Sequence, residues 1–383
     1  MVTIPVEPPI TEYLHTKAAR ARIPLNGTFE LTPCCNMDCR MCYVRMSKEK
    51  QESIQPLKSA DEWLALGREA KEQGLLYLLL TGGEPFIRPD LPEIVSGLHR
   101  MGMLVSINSN GTLIDEKTVS WLKQTPPVRI NITLYGASDA TYDRLCRNPK
   151  GFTQVTHAID LLQAAGISIK LNCSVTPYNE KDLEAIFAFA GKRKLILQAT
   201  SYMFPPLRKD PSMIGNNFRF TPEEAAYQSA RIEALQSGED AFLKRMQEHR
   251  PLALPEEKDG DCPVYEDGDG IRCRAGKCSF WITWDGKMLP CGMLSEGNAP
   301  DVFADGFAAS WDQVVNAANK IKLPGKCHNC KQKDLCRACA AMVLTETGDY
   351  HTVPDYRCRM SHAYPGACAL LEREFLKKRM EKK

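Results

Sequence analysis

Between Gly27 and about Tyr202, short apolar runs alternate with amphipathic segments, and this alternation limits the possible folds more than any other feature of the chain. Six runs have the length and β-branched content of strands: Thr28–Leu31, Leu76–Leu80, Leu104–Ile107, Arg129–Leu134, Ser168–Val175 and Leu195–Tyr202. Helix signals fall between them. Ser59 caps a segment that runs through Glu72 and stops at Gly74, Asp90 opens one ending near Gly102, and Asp115 opens another. Two more fit Phe152–Ala165, stopped by Gly166, and Glu180–Ala190, stopped by Gly191. Strand and helix units joined by right-handed crossovers predict an α/β fold, a partial (βα)6 TIM-like barrel whose working loops lie at the C-terminal strand ends.

At 383 residues the chain can bury a sizeable core without disulfide staples. Its 49 basic and 47 acidic residues nearly cancel, so no strong field draws it to nucleic acid or an anionic membrane. The opening MVTIPVEPPITEYLHTK has no signal-peptide pattern, and the longest purely aliphatic and aromatic run, Leu75–Leu80, is too short to span a bilayer. A cytoplasmic location is therefore expected, with no membrane or nucleic-acid partner. Sixteen cysteines in such a chain point to metal or redox chemistry.

Four of them fall in ten residues, Cys34-Cys35-Asn36-Met37-Asp38-Cys39-Arg40-Met41-Cys42-Tyr43, directly after the first predicted strand. Cys35-x3-Cys39-x2-Cys42 sets three thiolates that one loop can converge on a cubane cluster, leaving one iron open to substrate. Cys34 is then spare and should point away. Spacing alone leaves a zinc site or free buried thiols as alternatives. With Tyr43, the motif resembles the signature of the radical S-adenosylmethionine (SAM) superfamily, in which the open iron chelates SAM and an electron splits it to a 5'-deoxyadenosyl radical.

Later loops fit the same resemblance. In Thr81-Gly82-Gly83-Glu84-Pro85 the glycines let backbone approach a ligand and the carboxylate can meet an ammonium group; the family's GGEP loop holds the amino group of SAM. Asn108-Ser109-Asn110-Gly111-Thr112 follows the third strand, and Thr133 ends the fourth ahead of Tyr135-Gly136. The resemblance thus implies SAM contacts from Tyr43, Gly82, Gly83, Glu84, Ser109, Asn110 and Thr133. Either Arg144 or Arg147 suits the SAM carboxylate, and Asn172, Ser174 and Asn179 face either adenosine, substrate or a polar loop. No general base is assigned.

The C-terminal part carries Cys273, Cys278, Cys291, Cys327, Cys330, Cys336, Cys339 and Cys358. Between Cys278 and Cys291, SFWITWDGKMLP predicts a β-hairpin with Asp285-Gly286 as a two-residue turn that returns Cys291 beside Cys278. Cys273-x12-Gly286-x4-Cys291 and Cys327-x2-Cys330-x5-Cys336-x2-Cys339 resemble the SPASM extension of radical SAM maturases, with one residue fewer than usual between Cys336 and Cys339. That resemblance implies two auxiliary 4Fe-4S clusters, one on Cys273, Cys278, Cys291 and Cys339, the other on Cys327, Cys330, Cys336 and Cys358, making three clusters with the SAM-binding one. Zinc is the alternative for this array. Cys146, Cys173, Cys262 and Cys368, like Cys34, read as buried or partly buried thiols.

The expected layout is an N-terminal extension over 1–26, the barrel over 27–215, a helical linker over 216–261, the cysteine-rich domain with its hairpin and short helices over 262–360, and a solvated helical tail over 361–383. Closed auxiliary clusters suit an electron relay, so the resemblance implies an oxidoreductase that abstracts hydrogen from a peptide or protein side chain, as in the maturation of ribosomal peptides. A flavodoxin or ferredoxin type reductant is implied too. The short N-terminal extension is too small for a leader-binding module, which implies a separate recognition protein or a small substrate. Gly292 stands where sulfatase-maturing enzymes carry an acidic base, which disfavours that activity. The alternatives are oxidation or decarboxylation of a cofactor precursor such as a haem-like molecule, and a non-catalytic iron-sulfur or zinc scaffold.

Overall fold

The computed structural model describes residues 9–205, 219–248, 270–294 and 298–381; Cys262 and parts of the predicted linker lie outside them. All six expected strands are present: β1 (Asn26–Glu30), β2 (Tyr77–Thr81), β3 (Leu104–Ser109), β4 (Arg129–Thr133), β5 (Ile169–Ser174) and β6 (Ile196–Thr200). They pair in parallel with each strand beside its successor, the order that repeated right-handed crossovers produce.

The helices between them start largely where the sequence says. Ser59 and Glu62 close a reciprocal capping box on Ala60–Glu72, and Asp115 accepts from the Thr118 N–H at the head of Glu116–Gln124. Asp90 differs: it caps nothing, because its carboxylate is held by Arg88 at 2.9 and 2.6 Å. Gly191 also differs, lying inside Leu183–Lys192; the turn is made two residues beyond the helix by Lys194, whose φ is +56°.

One face of the parallel sheet packs under these helices. Leu78, Leu80, Ile107, Ile130, Ile132, Leu171 and Leu197 meet Trp63, Leu98, Val155 and Ile159, all at most 1% exposed. Each such side chain contributes about 1.5–3 kcal/mol of burial. The alternate residues near the strand ends are polar, and they turn to the barrel interior.

Two boundaries expected from sequence move. The hairpin does not sit in a separate cysteine-rich domain: its first strand, β7 (Ser279–Ile282), pairs in parallel with β1, and β8 (Met288–Leu289) extends the sheet to eight strands. Phe280 fills the space that Gly27 leaves, where a Cβ would lie 2.5 Å from its ring. The turn is a three-residue loop, not the expected two: Gly286 N–H donates to Thr283 O at 2.9 Å, Thr283 N–H to Lys287 O at 3.0 Å, and Gly286 takes φ +87°. The predicted tail belongs to one helix, Asp355–Glu381, which carries Cys358 and buries Met360, Tyr364, Ala367, Cys368 and Leu371 against Pro222–Ser237. One face is exposed along its length and only its last turns are exposed all round, so no boundary falls at 360.

Beyond β8 the core thins. Ile271, Leu294, Ile321, Leu323 and Val343 form a small second cluster, with Cys291 and Cys339 packed against it. No described helix is long and apolar enough to cross a membrane.

Candidate functional site

The loop after β1 is fastened to its neighbours by main-chain bonds. Gly83 N–H donates to Thr32 O at 2.7 Å and Glu84 N–H to Cys34 O at 2.9 Å. This close approach is what the two glycines serve: a Cβ on Gly82 would stand 2.3 Å from Thr32 O, and one on Gly83 2.2 Å from Cys34 O. The sequence suggested that they make room for a ligand; they make room first for the cysteine loop. On its other side the loop is held by Asp38 N–H to Cys146 O at 3.2 Å and Arg40 N–H to Leu145 O at 2.9 Å.

So held, the loop faces a cavity of about 470 Å³ at the C-terminal ends of the parallel strands. Cys35, Cys39 and Cys42 line it together, whereas Cys34 lies among Thr32, Arg45, Glu49 and Glu52. Sulfurs receive backbone donors, Met37 N–H to Cys35 at 3.4 Å and Arg45 N–H to Cys42 at 3.3 Å, with the Asn110 amide 3.6 Å from Cys35. Desolvation pushes the Cys35 thiol up to about 12, with Glu84, Cys39 and Cys42 adding to the shift, so this thiol needs a cation to become a thiolate. Among the described residues no three His, Cys, Asp or Glu side chains are arranged to hold a single metal ion. A cubane, by contrast, spreads its thiolates over separate irons, which is the donor set that three converging cysteines fit.

Of the residues expected to contact SAM, Tyr43, Gly82, Gly83, Ser109, Asn110 and Thr133 line this cavity. Glu84 does not. It is fully buried, accepting from Ser109 Oγ at 2.9 Å, Asn110 N–H at 2.7 Å and Phe86 N–H at 3.1 Å. Burial pushes it up to about 7, against the pull of those three donors. Its carboxylate therefore orders the loop after β3. Thr112 similarly holds Asn36, which donates to its Oγ1 at 2.8 Å.

Neither candidate arginine reaches the cavity wall. Arg147 pairs with Asp38 at 2.7 Å, and Arg144 contributes its carbonyl to Arg40 Nε at 2.7 Å, so both brace the cysteine loop. Asn172 and Ser174 line the cavity, while Asn179 is buried, accepting from Thr176 N–H at 2.7 Å and donating to Tyr135 O and Ser174 O at 3.0 Å.

The sequence reading missed Asn131, Thr200, Tyr202, Met203, Phe204, Met293 and Met342, all on the wall. A signal existed for the first: an asparagine at an alternate position in a strand of a doubly covered parallel sheet is out of place unless it faces a cavity. Met293 and Met342 carry no such signal, since the C-terminal region brings them in across the barrel mouth. Tyr202 O–H donates to Glu346 at 2.9 Å, and Glu346 is held in turn by Arg219. Among the described residues the lining contains no Asp, Glu, Lys or Arg.

In the C-terminal region Cys327, Cys330, Cys336 and Cys358 line one small cavity beside Arg272 and His362. The Cys327 thiol is raised by burial and then by Cys336, Cys358 and Cys330. Cys273 is raised by desolvation and then by Cys291 and Cys339, which sets these three within electrostatic reach. Cys278 is fully buried at the start of β7, packed with Ala18, Ala19 and Leu25. Cys146, Cys173 and Cys368 are buried, as expected. Gly292 packs under Trp281, where a Cβ would meet the indole at 2.8 Å, so no side chain fits there.

Comparison with known proteins agrees with this geometry. Residues 29–190 match the model of the radical SAM superfamily. The chain is 32% identical to a probable GTP 3',8-cyclase of Aeropyrum pernix over 68% of itself and 71% of that protein. It is 25% identical to an AdoMet-dependent heme synthase of Methanosarcina barkeri, covering 87% and 95%, and 27% identical to the subtilosin biosynthesis protein AlbA of Bacillus subtilis, covering 82% and 65%. Among solved structures, SuiB of Streptococcus suis bound to its precursor peptide SuiA aligns at TM-score 0.63 and 16% identity over 88% of this chain and 78% of that one. AnSMEcpe with bound AdoMet aligns at 0.67 and 14% over 93% and 100%. Three thiols and a wall of neutral donors at the mouth of a parallel partial barrel, together with these matches, establish that the chain is a member of the radical SAM superfamily with a SPASM-like C-terminal region.

Proposed function

We propose that Cys35, Cys39 and Cys42 hold a 4Fe-4S cluster with one open iron, and that the chain modifies a side chain of a peptide or protein. The observation that carries the reading is the shared cavity, in which three thiols, the Gly82–Gly83 backbone and the hydroxyl and amide groups of Ser109, Asn110, Thr133, Asn172 and Ser174 converge. Bound together, the cluster and SAM supply a 5'-deoxyadenosyl radical that takes hydrogen from a substrate. The chain's own residues do the rest: Gly82 and Gly83 offer main-chain acceptors to an amino group, and the strand-end hydroxyls and amides suit a ribose and a carboxylate. Tyr43, Met203, Phe204, Met293 and Met342 exclude water around the site, and flexible thioethers adapt to varied side chains.

The neutral wall supports a peptide over the substrates named for other relatives. A nucleoside triphosphate or a carboxylate-rich tetrapyrrole asks for arginine or lysine, and among the described residues the cavity lining has neither. SuiB has been solved with its precursor peptide, and AlbA acts in subtilosin biosynthesis, which agrees with this reading. The eight C-terminal thiols would hold two auxiliary clusters, one on Cys327, Cys330, Cys336 and Cys358 and the other on Cys273, Cys278, Cys291 and Cys339. Each is saturated by protein and so fit to pass electrons. An external one-electron donor and, given a separate leader-recognition protein, a partner complete the scheme.

A second reading, oxidation or decarboxylation of a haem-like precursor, is favoured by the heme synthase relative, which this chain covers over 95% of its length. The deciding experiment is anaerobic reconstitution followed by quantification of 5'-deoxyadenosine with candidate peptides and with iron-coproporphyrin. Peptide-dependent turnover supports the proposal; turnover supported only by the tetrapyrrole overturns it.

A further inference from the structure

The cations beside the two cysteine regions differ in what they hold. Around the loop of Cys35, Cys39 and Cys42 the arginines are engaged: Arg45 and Arg147 pair with Asp38 at 3.2 and 2.7 Å, and Arg40 Nε donates to Arg144 O at 2.7 Å. The stretch from Lys322 to Arg337, which carries Cys327, Cys330 and Cys336, has five lysines and arginines against one acid, Asp334, in a chain whose totals nearly cancel. Lys322 and Arg337 already engage other groups. Lys326, Lys331 and Lys333 are exposed, and none of the three is in an ion pair among the described residues.

These lysines sit at the thiols. Lys326 precedes Cys327, Lys331 follows Cys330, and Lys333 lines the small cavity of Cys327, Cys330, Cys336 and Cys358. Arg272 lines it too, half-buried, and its charge favours the Cys327 thiolate. All four thiols are partly exposed and share the wall with exposed His362, so the site opens on the surface. Asp355, the carboxylate that acts on Cys358, is paired with Arg359 at 3.7 Å. A cubane saturated by four thiolates is itself anionic, by about two charges when oxidised, and the four cations exceed that. In the other C-terminal set Cys278 is fully buried and Cys291 and Cys339 pack on the second apolar cluster. Met293 and Met342, just beyond those two cysteines in the chain, line the reaction cavity.

We propose that a one-electron carrier protein with an acidic face docks on Lys326, Lys331 and Lys333, and that the electron released by substrate oxidation leaves the molecule there. The inference rests on the reading above that Cys327, Cys330, Cys336 and Cys358 hold an electron-passing cluster. The substrate radical gives up one electron to the auxiliary clusters and one proton to solvent. The reduced cluster then passes the electron to the oxidised carrier, which ends one electron richer, and no bond is made or broken at the docking face. Opposite charge brings such a partner on quickly without a large buried interface, which suits an encounter that must also come apart.

The test uses the full-length, cluster-loaded protein, reduced anaerobically and freed of excess reductant. It is mixed rapidly with oxidised flavodoxin or 2Fe-2S ferredoxin, both acidic, or with cytochrome c, which is basic. The same mixing on Cys39→Ala isolates the auxiliary-cluster signal. Reoxidation by the acidic carriers should slow about tenfold between about 0.02 and 0.3 M salt, and that by cytochrome c should not slow. At low salt the triple variant Lys326→Glu, Lys331→Glu, Lys333→Glu should lose about tenfold in rate with the acidic carriers and gain with cytochrome c. Its iron content, and its 5'-deoxyadenosine formation with dithionite as reductant, should stay at wild-type values. Matched reversals on the barrel helices, Lys71→Glu, Lys117→Glu and Lys123→Glu, should leave the rate unchanged. Salt-independent reoxidation, an unaltered rate in the first triple variant, or an equal loss in the second overturns the docking face and leaves the electron relay standing. A Cys39→Ala protein with no reducible iron-sulfur signal overturns both.

Discussion

The two cysteine regions are built in opposite ways. The loop carrying Cys35, Cys39 and Cys42 is short and hangs from a finished scaffold, held by main-chain bonds to the turn after β2 and to the end of the helix Asp139–Cys146. Of the C-terminal thiols, Cys327 and Cys336 sit on the four-residue helices Gly325–His328 and Lys333–Cys336, and Cys291 and Cys339 pack on a small apolar cluster. The first region is a rigid platform that can leave one coordination position open. The second rests on a much smaller apolar core.

Four predictions press on that contrast. The largest effect is expected from Cys39→Ala, which should abolish 5'-deoxyadenosine formation after reconstitution and reduction; retained formation would remove this cysteine from the ligand set. Cys330→Ala should leave SAM cleavage measurable while blocking product, and undiminished product would deny the C-terminal array its relay role.

Gly83→Ala should come next. Its Cβ would press on Cys34 O, and overpacking of this kind costs about 1–3 kcal/mol, felt as lower cluster occupancy in the barrel. Iron content and thermal unfolding measured on the variant would decide it, and wild-type values for both would show that the two loops need no close approach. Arg147→Ala should have the smallest effect, because its pair with Asp38 is more than half exposed on the arginine side and such pairs are worth about 0–1 kcal/mol. A Tm drop as large as that of Gly83→Ala would mean that the brace matters more than its exposure suggests.

Much of the site was legible because it is local. Three thiols in one loop, two glycines after β2 and hydroxyl or amide residues after β3 and β4 can each be placed once the strands are recognised. Glu84 has a structural role that the sequence did not show. From sequence it is a carboxylate in a loop that meets a ligand; its partners Ser109 and Asn110 lie some twenty-five residues away, and only packing shows that they donate to it. Gly82 and Gly83 show the same thing, since the atoms that forbid a side chain there belong to Thr32 and Cys34.

The chain's covalent order therefore determined the element types, the spacing of the thiols and the family chemistry that those spacings resemble, because periodicity and loop length are local properties of the backbone. Tertiary structure decided what lies beside what: β7 against β1, Met293 and Met342 across the barrel mouth, and the two arginines on the cysteine loop. Those pairings join residues up to some 300 positions apart. Their energies come from burying complementary shapes and satisfying main-chain donors, and neither is written in any short stretch of sequence.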